Sequence, residues 1–156
     1  MPDTHYAPPR SIAKGLIIGL IAGMAGSAAK TVGELIYQPR TLGQTPPPLV
    51  LADKIVGHPV AHPTAVIQAI HYGFGGLTGA VYGAAAEVFP IVTTGYGSVF
   101  GVVLQLFTHE SLVPLAGLDV PATQQPAREH LSELFSHILF GICTEAVRRI
   151  LCKRYA

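Results

Sequence analysis

Long apolar runs alternate along this chain with short polar stretches that carry most of its prolines. The runs extend from Ile12 to Tyr37, Ala65 to Pro90, Val92 to Gly117, and Leu131 to Leu151. Each exceeds the roughly 20 residues with which a helix crosses a bilayer. The pattern predicts an all-α fold in one membrane domain covering residues 1–156. Four transmembrane helices, at about 12–38, 64–89, 93–117 and 129–152, would form an antiparallel bundle. A soluble bundle of the same helices would need a polar outer face at helical period. The stretch GLIIGLIAGMAGSAA, Gly15 to Ala29, offers none. Between the second and third runs only Phe89 to Thr94 intervene, which predicts an antiparallel helical hairpin. Residues 39–63 form the largest loop. Pro46, Pro47, Pro48, Pro59 and Pro63 argue against a long regular helix there.

Composition and charge sharpen this picture. Only 12% of the 156 residues are charged, about half the share of an ordinary soluble domain. The net charge of +1 gives no basic surface for nucleic acid. Arg10 and Lys14 precede the first span, and Arg148, Arg149, Lys153 and Arg154 close the fourth. The intervening loops offer Arg40, Lys54 and Arg128. This asymmetry predicts a multi-pass protein with both termini in the cytoplasm. AGSAA near the end of the first run resembles a cleavage site, but the apolar run outlasts a signal core and reads as an uncleaved anchor. Cys143 and Cys152 lie in or beside the fourth span, on the cytoplasmic side, where disulfides are rare.

Glycine spacing suggests how the helices meet. Gly15, Gly19 and Gly23 recur every fourth residue, as do Gly75, Gly79 and Gly83, and then Gly97 and Gly101. Such a glycine zipper lets backbones approach closely where lipid supplies no hydrophobic drive, within the bundle or in a homo-oligomer. GFGGLTG lacks the spacing of a dinucleotide fingerprint. TTGYG, Thr93 to Gly97, resembles a potassium filter, but it lacks the preceding pore helix and reads as a tight turn.

The ionisable residues in the apolar runs are candidates for function. Lys30, Glu34, His71, Gln105, His109, Glu110, Glu133 and His137 all fall roughly 5–15 Å below the outer interface at 1.5 Å rise per residue. Lys30 with Glu34, Gln105 with His109, and Glu133 with His137 are four apart, so each pair shares a helix face. Charge turned to lipid is costly, so these side chains should point inward and satisfy one another. Such a layer could relay protons or handle a solute. His71, His109, His137 and Glu133 could ligate a metal ion, and a histidine pair could hold haem. A self-satisfied network that only fixes helix register uses the same residue types. On the inner side, Glu145 with Arg148 and Arg149 forms an ion-paired set at helical spacing. His58 and His62 each precede a proline, which removes the helical-face argument for a metal pair; His5 and His130 carry no specific signal, although His130 could cap the layer.

Several segments resemble the YagU-like family of bacterial inner-membrane proteins. They are KTVGELIYQPR (Lys30 to Arg40), His71, AEVFP (Ala86 to Pro90), QLFTH (Gln105 to His109), PLAGL (Pro114 to Leu118), and SELFSHILF with EAVRR (Ser132 to Arg149). The first outer loop is shorter here and Trp is absent. The resemblance implies a multi-span protein of the bacterial inner membrane, in a family linked with acid tolerance; it supplies no reaction, substrate or cofactor. Two functions follow as expectations. The outer His/Glu layer handles protons or binds a metal or haem, or the protein is a non-catalytic accessory or assembly subunit of a larger membrane complex. With no activated nucleophile and no phosphate loop, the reading points away from an enzyme.

Overall fold

A computed structural model describes residues 11–40 and 43–154; His5 and Arg10 lie outside them. Helix α1 spans Ile12–Ile36, α2 Pro47–Val56 and α3 Pro63–Val88. Helix α4, Ser98–Phe107, continues through a π turn at Thr108–Leu112 into the short α5, Val113–Leu115. Helix α6 spans Ala127–Arg154. No strand occurs among the described residues.

Local chemistry sets these boundaries. The Ser11 hydroxyl accepts a hydrogen bond from the Lys14 amide and caps α1. Helix α2 lies within residues 39–63, where the sequence predicts a loop. Its prolines start the helix, with Pro47 at the first helical position where no amide donor is needed. Gly57, at φ +81°, ends it in the left-handed conformation. Between α3 and α4 the chain turns through Pro90–Gly97, with positive φ at Gly95, Tyr96 and Gly97. The TTGYG stretch is thus a turn between helices.

Helix α1 lies at the centre of the packing, against both α3 and α6, and α4 packs on α6. The glycines make the first contact close. A Cβ on Gly15 would strike the Gly83 carbonyl, one on Gly19 that of Gly79, and one on Gly23 that of Gly75. Gly97 and Gly101 approach the backbone of α6 at Gly141 and His137. Helices α3 and α4 do not pack along their length, which corrects the expected hairpin. Their glycine faces are already taken by α1 and α6, and they meet mainly where Tyr82 stacks on Phe100, 4.3 Å between centroids.

The interior is polar and the exterior apolar. Glu133, Glu145, Thr144, Ser132 and Ser136 are the largest side chains that are fully buried, whereas Ile17, Leu77, Val81, Val103 and Ile150 are exposed. The segments Ile12–Ile36 and Pro90–Leu115 are long and apolar enough to cross a membrane. Helices α3 and α6 have the length, 26 and 28 residues, but glycines in the one and charged groups in the other dilute their apolarity.

Towards the C-terminal end of α6, Glu145 forms a closed knot. Its carboxylate accepts from Tyr82 Oη at 2.9 Å, Arg148 Nε at 2.7 Å and Arg149 Nε at 2.6 Å. Arg148 Nη2 adds a fourth bond at 3.0 Å, so with side-chain exposure of 0% for Glu145 the roughly four acceptor sites of the carboxylate are all used and none is left to a ligand.

Candidate functional site

The other polar centre is built around Glu133. Nearly two turns into α6, its side chain is 2% exposed. Its Oε2 lies 3.1 Å from Lys30 Nζ, 3.2 Å from His109 Nε2 and 3.6 Å from His137 Nδ1. Arg40 Nη1 reaches its Oε1 at 3.4 Å. Four nitrogen-bearing side chains, from α1, the segment after it, the π turn and α6 itself, therefore surround one carboxylate.

Each partner is held in turn. Lys30 also pairs with Glu34 across one turn of α1. Arg40 bridges Asp119 at 2.9 Å and Glu129 at 2.8 Å. His137 Nδ1 lies 2.8 Å from the Glu133 carbonyl oxygen, an arrangement that leaves Nε2 as the ring nitrogen free to take a proton or a ligand. The His109 and His137 rings stand edge to face, 5.1 Å between centroids. Among the described residues, His109, Glu133 and His137 form a group whose ligand atoms all lie within 4.8 Å of one another. One carboxylate and two imidazoles suit zinc. The same two rings leave no room for a haem macrocycle between them.

Other sequence candidates fall elsewhere. Gln105 is buried and donates to Glu110, which accepts from or pairs with His130 Nδ1 at 2.7 Å. The π turn explains this separation: it inserts a residue, so Gln105 and Glu110 face one another five apart instead of Gln105 sharing a face with His109. His71 stands apart from the metal-competent group; its Nδ1 is buried without a hydrogen-bond partner, and its carbonyl accepts from Ser27. His58 and His62 are exposed on the outer loop. Sequence reasoning missed the part played by Arg40, Asp119 and Glu129. The signal was faint: an arginine just after Pro39, an aspartate in a short loop and a glutamate before an apolar run.

Charge within the centre is unbalanced. Lys30 and Arg40 are the permanent cations, and Glu34, Asp119, Glu129 and Glu133 are the carboxylates they contact. The carboxylates thus outnumber the permanent cations by two. A proton on His109 or His137, or a bound cation, would reduce the excess. Beside this centre lies a cavity of about 450 Å³ between α3 and α4, lined by Ile70, His71, Phe74, Leu104, His109 and Glu133 among others.

The comparisons with known proteins bear on where this centre operates. Over 73 residues the chain is 38% identical to the inner membrane protein YagU of Escherichia coli (strain K12). That stretch covers 47% of this chain and 36% of the relative, so the chain spans just over a third of the relative's length in the match. No solved structure matches the chain. A family model described as a protein of unknown function, DUF1440, matches residues 21–146. With that model covering most of its length, the chain belongs to the DUF1440 family of YagU-like proteins.

Proposed function

We propose that this is a four-span protein of the bacterial inner membrane, with both termini cytoplasmic, that takes up and releases protons at the Glu133 centre. The observation that carries the reading is the setting of Glu133. A carboxylate withdrawn from solvent contacts Lys30, Arg40, His109 and His137, in a cluster with two more carboxylates than permanent cations. Imidazole is the side-chain type there whose unperturbed titration lies nearest neutral pH. Lys30 and Arg40 hold the carboxylate ionised and in place, and His109 and His137 accept the protons. His130 and Glu110, more exposed than the centre, form a second titratable pair on the same side. A layer that loads with protons as the outer medium acidifies accords with the family's link to acid tolerance.

The test is infrared difference spectroscopy on protein in lipid nanodiscs, between about pH 5 and pH 8, where imidazoles titrate. Imidazole bands should change, and His109→Gln and His137→Gln should each remove part of that change while helix content stays intact. Spectra of the double variant that match those of the unaltered protein would refute proton uptake at this centre.

A second reading is favoured by one observation, the convergence of His109, Glu133 and His137 within 4.8 Å. Those residues would hold a zinc ion, which supplies Lewis acidity when bound. Elemental analysis of protein purified without chelators decides this. One zinc per chain, lost in His137→Ala, supports the metal site, and zinc absent from the unaltered protein rejects it.

A further inference from the structure

The cavity between α3 and α4 is not explained by proton uptake. Helices α1 and α6 close its back, and α2 covers its outer end through Pro47, Pro48 and Leu51. Phe140, itself packed against Phe100, lines it with Thr78. The remaining side lies between two helices that barely touch, and the side chains at its lips, Phe74 and Leu112, are both apolar and exposed. In a bilayer such an opening faces hydrocarbon.

Walls and floor differ in chemistry. Ile67, Ile70, Phe74, Leu104 and Val113 make an apolar wall, and His71, His109 and Glu133 lie at the floor. There His71 Nδ1 is buried and unpartnered. An imidazole nitrogen left without a hydrogen bond in a buried site is destabilising, so a ligand that supplies the bond is favoured. Lys30 and Arg40 line the cavity together with Glu34 and Glu133, two cations already paired with two carboxylates, so the floor suits a neutral head better than a charged one such as a fatty-acid carboxylate.

We propose that this cavity binds a neutral, lipid-soluble molecule through a side opening in the membrane, its head placing a carbonyl or hydroxyl oxygen against His71 and its tail lying along the apolar wall between Phe74 and Leu112. Either tautomer of His71 serves, as donor to a carbonyl or acceptor from a hydroxyl. Two membrane-soluble classes share this chemistry: quinones, and neutral glycerides. The inference rests on the bilayer setting and not on proton uptake, so the two can fail separately.

The chain has no Trp, which makes a direct test available. Phe74→Trp places a single fluorophore at the lip, and Ile17→Trp places one on exposed α1 surface. Both variants, in nanodiscs, are titrated with a decyl-substituted benzoquinone, a quencher. Binding predicts saturable quenching at position 74 and only unsaturating collisional quenching at position 17. Adding His71→Leu to Phe74→Trp should weaken the saturable phase by about fivefold or more, the worth of one hydrogen bond, while His71→Asn retains most of it. Displacement of the quinone by monoolein assigns the site to neutral heads in general; failure to displace assigns it to quinones. Identical quenching at the two positions, or equal displacement by oleate at alkaline pH, overturns the proposal.

Discussion

The contact between α1 and α3 yields a comparison in which one chemical change has opposite outcomes. Gly73 and Gly79 both lie within α3. A Cβ at Gly73 meets nothing within 4 Å, whereas one at Gly79 would come within 2.8 Å of the Gly23 amide nitrogen and also strike Gly19. Non-bonded atoms prefer separations of about 3.5–4.0 Å, so Gly79→Ala requires α1 and α3 to part by about 1 Å. The obstacle is backbone and cannot rotate away. Overpacking of this kind costs about 1–3 kcal/mol, and the rigid obstacle places it near the upper end. Alanine's helix preference returns up to about 1 kcal/mol at either site. Gly79→Ala should therefore destabilise by about 2 kcal/mol and Gly73→Ala stabilise by about 1 kcal/mol or slightly less. Both can be measured by circular dichroism during reversible unfolding in mixed micelles of a mild detergent and dodecyl sulfate. If Gly79→Ala proves as stable as Gly73→Ala, the close α1–α3 crossing is wrong.

Glu145→Gln leaves Arg148 and Arg149 without their shared carboxylate and should cost about 3 kcal/mol or more. Tyr82→Phe, which removes one hydrogen bond to that group, should cost about 1.5 kcal/mol; equal losses in the same unfolding assay would show that Glu145 is not the hub. For topology, Pro59→Cys and Lys153→Cys are each placed in a Cys143→Ser, Cys152→Ser background, both positions being exposed. A membrane-impermeant maleimide should label position 59 in spheroplasts and position 153 only after lysis. Labelling of both from one side would defeat the four-span arrangement.

Periodicity made the all-helical architecture legible, because apolar runs this long leave few alternatives. Glycines at four-residue spacing likewise pointed to close helix contacts, and the structure pairs Gly15, Gly19 and Gly23 with Gly83, Gly79 and Gly75. Which helices pair was not legible: adjacency in sequence suggested α3 with α4, yet α1 occupies the glycine face of α3. The candidate centre was partly legible, since Lys30, Glu34, Glu133 and His137 follow from helix faces that a regular α-helix preserves. Gln105 and Glu110 were assigned to the same layer on regular geometry, and the π turn at Thr108–Leu112 redirects them towards His130. Arg40 was read as a loop cation within the family-like segment Lys30 to Arg40 and not as part of the centre, because no periodicity governs the segment after α1. Its role arises from three contacts whose partners lie 79 to 93 residues away.

The inverted interior also determines where this chain tolerates change. Outward-facing Leu, Ile, Val and Phe meet a fluid that accepts any hydrocarbon shape, so these sites can drift among one another at little cost. Buried Ser132, Thr144, Glu133 and Glu145 have no such latitude, since each loss strands a partner that water cannot reach. Mutational fragility should follow the hydroxyls and carboxylates, the reverse of its distribution in a water-soluble bundle.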